Sequence, residues 1–185
     1  HHAHQAEHAR DFGFDLSLKG HDWSILKVKR DAYVKRLNGI YASNLDKREV
    51  AYIAGHGSFV DAHTVAVGGQ NYTADNIVIA TGGHPIVPDI PGANLGITSD
   101  GFFELGQRPQ KVAVLGSGYI AVEFAGVLNG LDSDTSVLVR KDGVLRSFDP
   151  MVREELAKAM LQSGIALETG VVPQALEQRD DGIYV

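Results

Sequence analysis

The stretch KVAVLGSGYIA, residues 111–121, runs a short apolar segment directly into Gly116-Ser117-Gly118-Tyr119-Ile120-Ala121. Residues 111–115 have the nearly continuous, β-branched apolar character of a buried parallel strand. The next six have the G-x-G-x-x-G/A form, and 118–130 reads as a helix. Strand, glycine turn and helix, in that order, give the pattern its meaning. Gly116 permits the tight turn, Gly118 lets the backbone approach a pyrophosphate, and Ala121 allows close packing of helix on strand. The helix start then offers N–H groups and partial positive charge to an anion. A glycine-rich turn without a ligand is the plainer alternative, and the flanking elements weigh against it.

Downstream, 135–139 reads as a second strand and 149–163 as a second helix, with Asp149 as N-cap and Pro150 at its first position. Residues 165–169 read as a third strand, and 171–185 as further strands. The βαβαβ alternation implies parallel strands joined by right-handed crossovers. An NAD site would place Asp or Glu at the end of the second strand, where it bonds the ribose hydroxyls. That strand ends Val137-Leu138-Val139-Arg140-Lys141, so Arg140 stands where the acid is expected. Arg146 follows in the loop before the second helix. A guanidinium meets a 2′-phosphate with two charge-assisted hydrogen bonds. Arg140 and Arg146, with Lys141 beside them, therefore favour NADP over NAD; solvated loop cations are the bland alternative.

Upstream lies a segment rich in Pro85, Pro88, Pro91 and Gly92, the best boundary candidate in the chain. Before it, 50–54, 58–60, 64–67, 71–73 and 77–80 are short β-prone runs, with Gly68-Gly69 as a hairpin turn. The last of these runs into Thr81-Gly82-Gly83. Asp22 is a candidate N-cap for a helix near 23–46. Its apolar residues Trp23, Leu26, Tyr33, Leu37, Ile40 and Tyr41 fall roughly on one face. Residues 1–11 read as the end of another helix, stopped by Asp11-Phe12-Gly13-Phe14-Asp15.

The chain has 185 residues, enough for one to two domains with a sizeable core. Hydrophobic residues make up 44% and charged residues 22%, ordinary for a globular protein and unlike a disordered chain. A net charge of −6 argues against general binding to a nucleic-acid backbone. No apolar run reaches the roughly 18–20 residues that span a bilayer. The polar, His-rich start does not read as a signal peptide. With 0 cysteines, this stretch offers no disulfide, zinc-thiolate or thiol chemistry of its own. His1, His2, His4 and His8 cluster, with His4 and His8 four residues apart on the expected helix. That spacing can chelate a metal, but no third ligand is fixed nearby, so a solvated helix face is the expectation and no metal site is assigned. His21, His56, His63 and His84 are scattered and suggest no triad.

Five stretches together resemble the flavin-dependent pyridine nucleotide–disulfide oxidoreductases, and specifically their glutathione branch. They are KRDAYVKRLNGIYASNL (29–45), YTADNIVIATGGHP (72–85), SDGFFEL (99–105), VAVLGSGYIAVEFAG (112–126) and VRKDGVLRSFDP (139–150). The resemblance implies an α/β fold: part of an FAD-binding domain, made of helices and a small β-meander, over 1–84. A linker follows over 85–98, then a Rossmann-like NADPH-binding domain of three-layer ββα/βαβ type over 99–185. It implies FAD and NADPH as cofactors, and a reaction carrying reducing equivalents from NADPH through FAD and a redox disulfide to glutathione disulfide. Ser117, Ile120 and Glu123 match positions facing the nicotinamide half or bridging region of NADPH. Tyr119 matches the tyrosine that covers the flavin when no nicotinamide is bound. Arg140 and Arg146 match the arginines on the 2′-phosphate. Gly57 matches a residue whose backbone meets the FAD adenine, Thr81 and Gly82 match a strand end near FAD, and Tyr41 matches the tyrosine packed against glutathione disulfide.

The resemblance also implies an internal portion of a larger, homodimeric, cytoplasmic enzyme. These 185 residues contain no counterpart of the family's first dinucleotide fingerprint, of the C-x4-C pair, or of the interface domain with its His–Glu pair. Weak FAD binding and no disulfide reduction are expected of this stretch alone, and no residue in it is assigned as catalytic. Trypanothione, mercuric and dihydrolipoamide branches are the near alternatives. Arg140 and Arg146 argue against the NAD-using dihydrolipoamide branch, and Tyr41 favours glutathione. The alternative from another class is a non-catalytic NADP-binding module.

Overall fold

A computed structural model describes residues 2–185. The chain divides into two compact units, one formed by residues up to Lys27 together with Ile86–Val185, the other by Val28–Pro85. The chain thus re-enters the first unit inside the Pro-rich segment. Residues up to Lys27, grouped by the sequence reading with the following domain, cluster with the later residues.

The first unit is built on a parallel sheet. β4 (Lys111–Leu115), β5 (Asp134–Val139) and β6 (Ala166–Thr169) lie in the order β4-β5-β6. Lys111 pairs with Asp134, and Ser136 with Ala166. Helix α4 (Tyr119–Asn129) connects the first two strands and α5 (Pro150–Gln162) the next two. Thr135, Val137 and Val139 of β5 are buried, alternating with less buried neighbours, as period-two side chains on one sheet face require. Val137 and Val139 join Ala125 of α4 and Met160 of α5 in one core, with Val144 and Ile165. On the other face, Leu138 and Glu168 border a cavity of about 550 Å³. Glu177, Arg179 and Tyr184 of the hairpin formed by β7 (Glu177–Arg179) and β8 (Gly182–Tyr184) also line that cavity.

Local chemistry sets the ends of these elements. Asp149 Oδ1 accepts from Met151 N at 2.9 Å, and Pro150 opens α5. Gly164, at φ +92°, ends the same helix, and Ile165 N donates back to Met160 O at 3.1 Å. A second, aromatic cluster comprises Trp23, Phe102 and Leu128. Trp23 Nε1 donates to Leu105 O at 2.8 Å, and Phe102 stacks on Phe124 with ring centres 3.9 Å apart. Phe102 lies on α3 (Ser99–Glu104), a short helix that the sequence does not announce. Near the start, α1 (His2–His8) continues into a 3-10 turn ended by Gly13 at φ +83°.

Helix α2 (Trp23–Lys47) begins in the first unit and continues into the second. Asp22 Oδ1 caps it, accepting from Ser24 N at 2.9 Å and Ile25 N at 3.3 Å. The second unit also holds an antiparallel meander of β1 (Gly57–Asp61), β2 (Thr64–Val67) and β3 (Gln70–Thr73). Gly68 and Gly69, at φ +58° and +82°, make the tight turn between β2 and β3. Two expectations fail here. Residues 50–54 and 77–80 are not strands. β-propensity alone does not make a strand, whose N–H and C=O groups need a ladder partner, and neither run pairs among the described residues. The apolar stripe of α2 is also only partly realised: Trp23 is buried and Leu37 half-buried, while Leu26, Tyr33, Ile40 and Tyr41 are exposed.

Candidate nucleotide-binding site

Strand β4 delivers the chain to Gly116, whose N–H donates to Leu138 O at 3.1 Å and so extends the ladder by one bond. Gly116 has φ +151°, and a Cβ there would stand 3.3 Å from the Ala121 Cβ. Turn and helix are therefore packed as tightly as a glycine facing an alanine allows. Gly118 differs. It is the N-cap of α4, with φ −83° and ψ 175°, and a Cβ there would meet nothing within 4 Å. Its outer side is open. The first helical hydrogen bond runs from Val122 N to Gly118 O at 3.2 Å, so the N–H groups before Val122 have no partner within the helix. Tyr119, Ile120 and Glu123 are exposed on the first turns of α4, and Ala121 is buried.

The loop after β5 completes the arrangement. Arg140 and Lys141 leave the strand end, and Arg146 follows; all three are exposed. Among the described residues, no ion pair or side-chain hydrogen bond engages them. Leu145, at φ +49°, donates its N–H to the Ser117 carbonyl at 2.7 Å. This bond ties the arginine loop to the glycine turn. On the far side, Gly170 N donates to Lys141 O at 3.0 Å and Val171 N to Val139 O at 3.1 Å. The only acid between the two arginines is Asp142. Its carboxyl is held below the usual carboxylate range, first by its own backbone N–H, then by the Arg153 guanidinium, with Arg146 adding to the effect.

Gly116, Ser117 and Gly118 are thus brought against the loop that carries Arg140, Lys141 and Arg146. An open N-cap with N–H groups behind it, beside uncommitted guanidiniums, has the donor set that a dinucleotide phosphate and a 2′-phosphate require. Gly57, Thr81, Gly82 and Tyr41 belong to the second unit. Gly57 starts β1 opposite Val67, and its Cβ would press on Val65 Cγ1 at 3.3 Å. Thr81 and Gly82 sit on an exposed irregular stretch, with Gly82 at φ +68°. Tyr41 is exposed on α2. No hydrogen bond or ring contact joins these residues to one another among the described residues. They offer backbone groups, a hydroxyl and a ring face, but no charge.

Two participants escaped the sequence reading. Leu145 acts through its backbone, and a positive φ at leucine leaves no signature in the residue string. Arg153, on α5, reaches the loop across a helix turn, and only its neighbourhood reveals that. Among the described residues no three His, Cys, Asp or Glu side chains are grouped to hold a metal. His8 Nδ1 lies 3.6 Å from Asp11, and His1 lies outside the described residues. No helix among them is long and apolar enough to cross a membrane.

A sequence model of the family described as pyridine nucleotide-disulphide oxidoreductase matches residues 2–185. Glutathione reductase of Schizosaccharomyces pombe (strain 972 / ATCC 24843) is 48% identical over 169 residues, covering 87% of this chain and 36% of the relative. Glutathione reductase of Yarrowia lipolytica (strain CLIB 122 / E 150) is 44% identical over 188 residues, covering 94% of this chain and 40% of the relative. The chain therefore spans well under half the length of these curated relatives. Among solved structures, the HOCl-induced flavoprotein disulfide reductase RclA from Escherichia coli superposes with a TM-score of 0.79 at 22% identity, over 98% of this chain and 40% of that one. Its Cu(II) complex superposes with a TM-score of 0.82, also at 22% identity. That likeness speaks for the fold.

Proposed function

The chain belongs to the pyridine nucleotide-disulphide oxidoreductase family, and on that premise we propose that it is the nucleotide-handling portion of an NADPH- and FAD-dependent glutathione-disulfide reductase. The single observation that carries this reading is the docking of the arginine loop on the glycine turn through Leu145 N and Ser117 O. It supports the reading by tying the turn proposed to hold the pyrophosphate directly to the loop proposed to hold the 2′-phosphate.

In this reading Gly116 and Gly118 shape the turn, and the α4 N-terminus holds the NADPH pyrophosphate. Arg140 and Arg146, with Lys141, bind the 2′-phosphate by charge-assisted hydrogen bonds. Ser117, Ile120 and Glu123 line the path towards the nicotinamide, and Tyr119 stands over the flavin side. Gly57, Thr81 and Gly82 contribute backbone to an FAD site, and their lack of charge suits the neutral parts of that cofactor. Tyr41 offers its exposed ring to glutathione disulfide. When bound, the nicotinamide supplies a hydride and the flavin accepts it; the residues here orient and discriminate. A homodimeric parent in the cytoplasm, with glutathione disulfide as substrate and without nucleic-acid or membrane partners, completes the proposal. The 44–48% identity to two glutathione reductases supports it.

The test is calorimetric titration of the chain with NADPH and with NADH at moderate salt. NADPH should bind at least about tenfold more tightly, since hydrogen bonds to charged groups contribute about 1.5–3 kcal/mol. Arg140→Ala and Arg146→Ala should each erase most of that preference and leave NADH binding as it is. Equal binding of both nucleotides by the unaltered chain would overturn the 2′-phosphate assignment.

A further inference from the structure

α5 presents a guanidinium to the back of the arginine loop. Arg153 lies at the end of that helix's first turn, its N–H bonded to Asp149 O at 3.1 Å. A cation there gains nothing from the helix dipole. Its side chain, 25% exposed, instead meets three consecutive loop residues. Nη2 stands 3.4 Å from Asp142 Oδ2, and Nε donates to the Val144 carbonyl at 3.4 Å. A Cβ on Gly143 would lie 3.9 Å from Nη2. Val144 is 1% exposed, and the next residue carries the 2.7 Å bond to Ser117. Arg153 is thus coupled through the loop to the glycine turn.

A carboxylate at Asp142 opposes the chemistry assigned to its neighbours. It lies between Arg140 and Arg146 in sequence, is 76% exposed, and stands in the field of Arg146. Left to itself it would repel a phosphate dianion and compete for the same guanidinium. We infer that Arg153 is a positioning residue for nucleotide selectivity. By holding the Asp142 carboxylate and the Val144 carbonyl on the α5 side, it leaves Arg140 and Arg146 to a dinucleotide bearing a ribose monophosphate. This rests on the 2′-phosphate role proposed above for those two arginines.

The experiment is a double-mutant cycle: the unaltered chain, Arg153→Met, Asp142→Asn and the double variant, each titrated with NADPH and with NADH at low to moderate salt. Arg153→Met should weaken NADPH binding about three- to fivefold, the scale of a partly exposed ion pair, and leave NADH within about twofold. Asp142→Asn should improve NADPH binding more when combined with Arg153→Met than in the unaltered chain, so that the double variant recovers. Thermal unfolding checks that each variant is folded, and Arg153→Lys replaces a variant that is not. An unchanged nucleotide preference in the Arg153 variant overturns the inference, as does equal weakening of both nucleotides. Strict additivity of the two substitutions also overturns it, since Arg153 would then act on the phosphate by itself. If the unaltered chain shows no preference for NADPH, the 2′-phosphate reading falls and this inference falls with it. Preference retained in the unaltered chain and in Arg153→Met defeats the inference alone.

Discussion

Gly116 and Gly118 are two residues apart and have opposite requirements. Gly116 needs the absence of a side chain for folding: its φ is +151°, and a Cβ would be 3.3 Å from Ala121. Gly118 has an ordinary φ of −83° and open space beyond it. Gly116→Ala should therefore cost more than about 1 kcal/mol of stability and lose nucleotide binding as well. Gly118→Ala should stay within about 1 kcal/mol, the scale of an N-cap change, and still lose NADPH. Thermal unfolding and titration of both variants check this; normal NADPH binding by Gly118→Ala would mean that no phosphate comes close to that backbone. Asp142 gives a pH prediction. Its folded value lies below the usual carboxylate value of about 4, so its contribution to stability is complete above that pH and is lost as the pH falls through the folded value. In Arg153→Met the carboxyl midpoint should rise towards the ordinary value, read by NMR titration of its side-chain carbon. Spacing alone marked the close approach of Gly116 and Ala121, because it is steric and local. Leu145 stayed hidden because its role is a backbone bond made only after β5 and α4 have packed.

Elements whose ends carry their own chemistry were the ones that could be read in advance. Asp149 and Pro150 mark the start of α5, and Asp149 does accept from Met151 N at 2.9 Å. Asp149→Ala should destabilise the first unit by about 1 kcal/mol, lowering its melting temperature by about 2–4 °C without altering the sheet. A circular-dichroism melt measures it, and an unchanged midpoint would show the cap to be idle. The alternation on β5 came from packing instead, since the face turned to α4 and α5 buries every second residue. Residues 50–54 and 77–80 misled because strand character depends on a partner, which composition does not supply. Helix α3 was missed for the converse reason. Its six residues are too few for a periodic pattern, and Phe102 is held by Trp23 and Phe124 rather than by its own helix.

Over the whole molecule, the most consequential count is 0 cysteines in 185 residues. Disulfide reduction needs a thiolate to attack sulfur, and these residues provide none. Added NADPH, FAD and glutathione disulfide should give no turnover above a protein-free control, followed by NADPH absorbance; measurable turnover would require a route without a protein thiol. Nucleotide discrimination, by contrast, is proposed to rest on the glycine turn, the arginine loop and Arg153, all within these residues, and should survive in this chain. The family could be recognised from its sequence because the dinucleotide turn and the arginine loop are contiguous motifs. The grouping of residues up to Lys27 with the later unit could not, since Trp23 finds Leu105 only in three dimensions. The meander has one more consequence, in time rather than in space. Gly57 pairs with Val67 and Thr64 with Thr73, whereas Lys111 must wait for Asp134 and Ser136 for Ala166. Short-range closures are fast and crossovers are slow. During folding, β1–β3 should gain protection from hydrogen exchange before the parallel sheet does, so the half that carries the dinucleotide turn is the last to become competent.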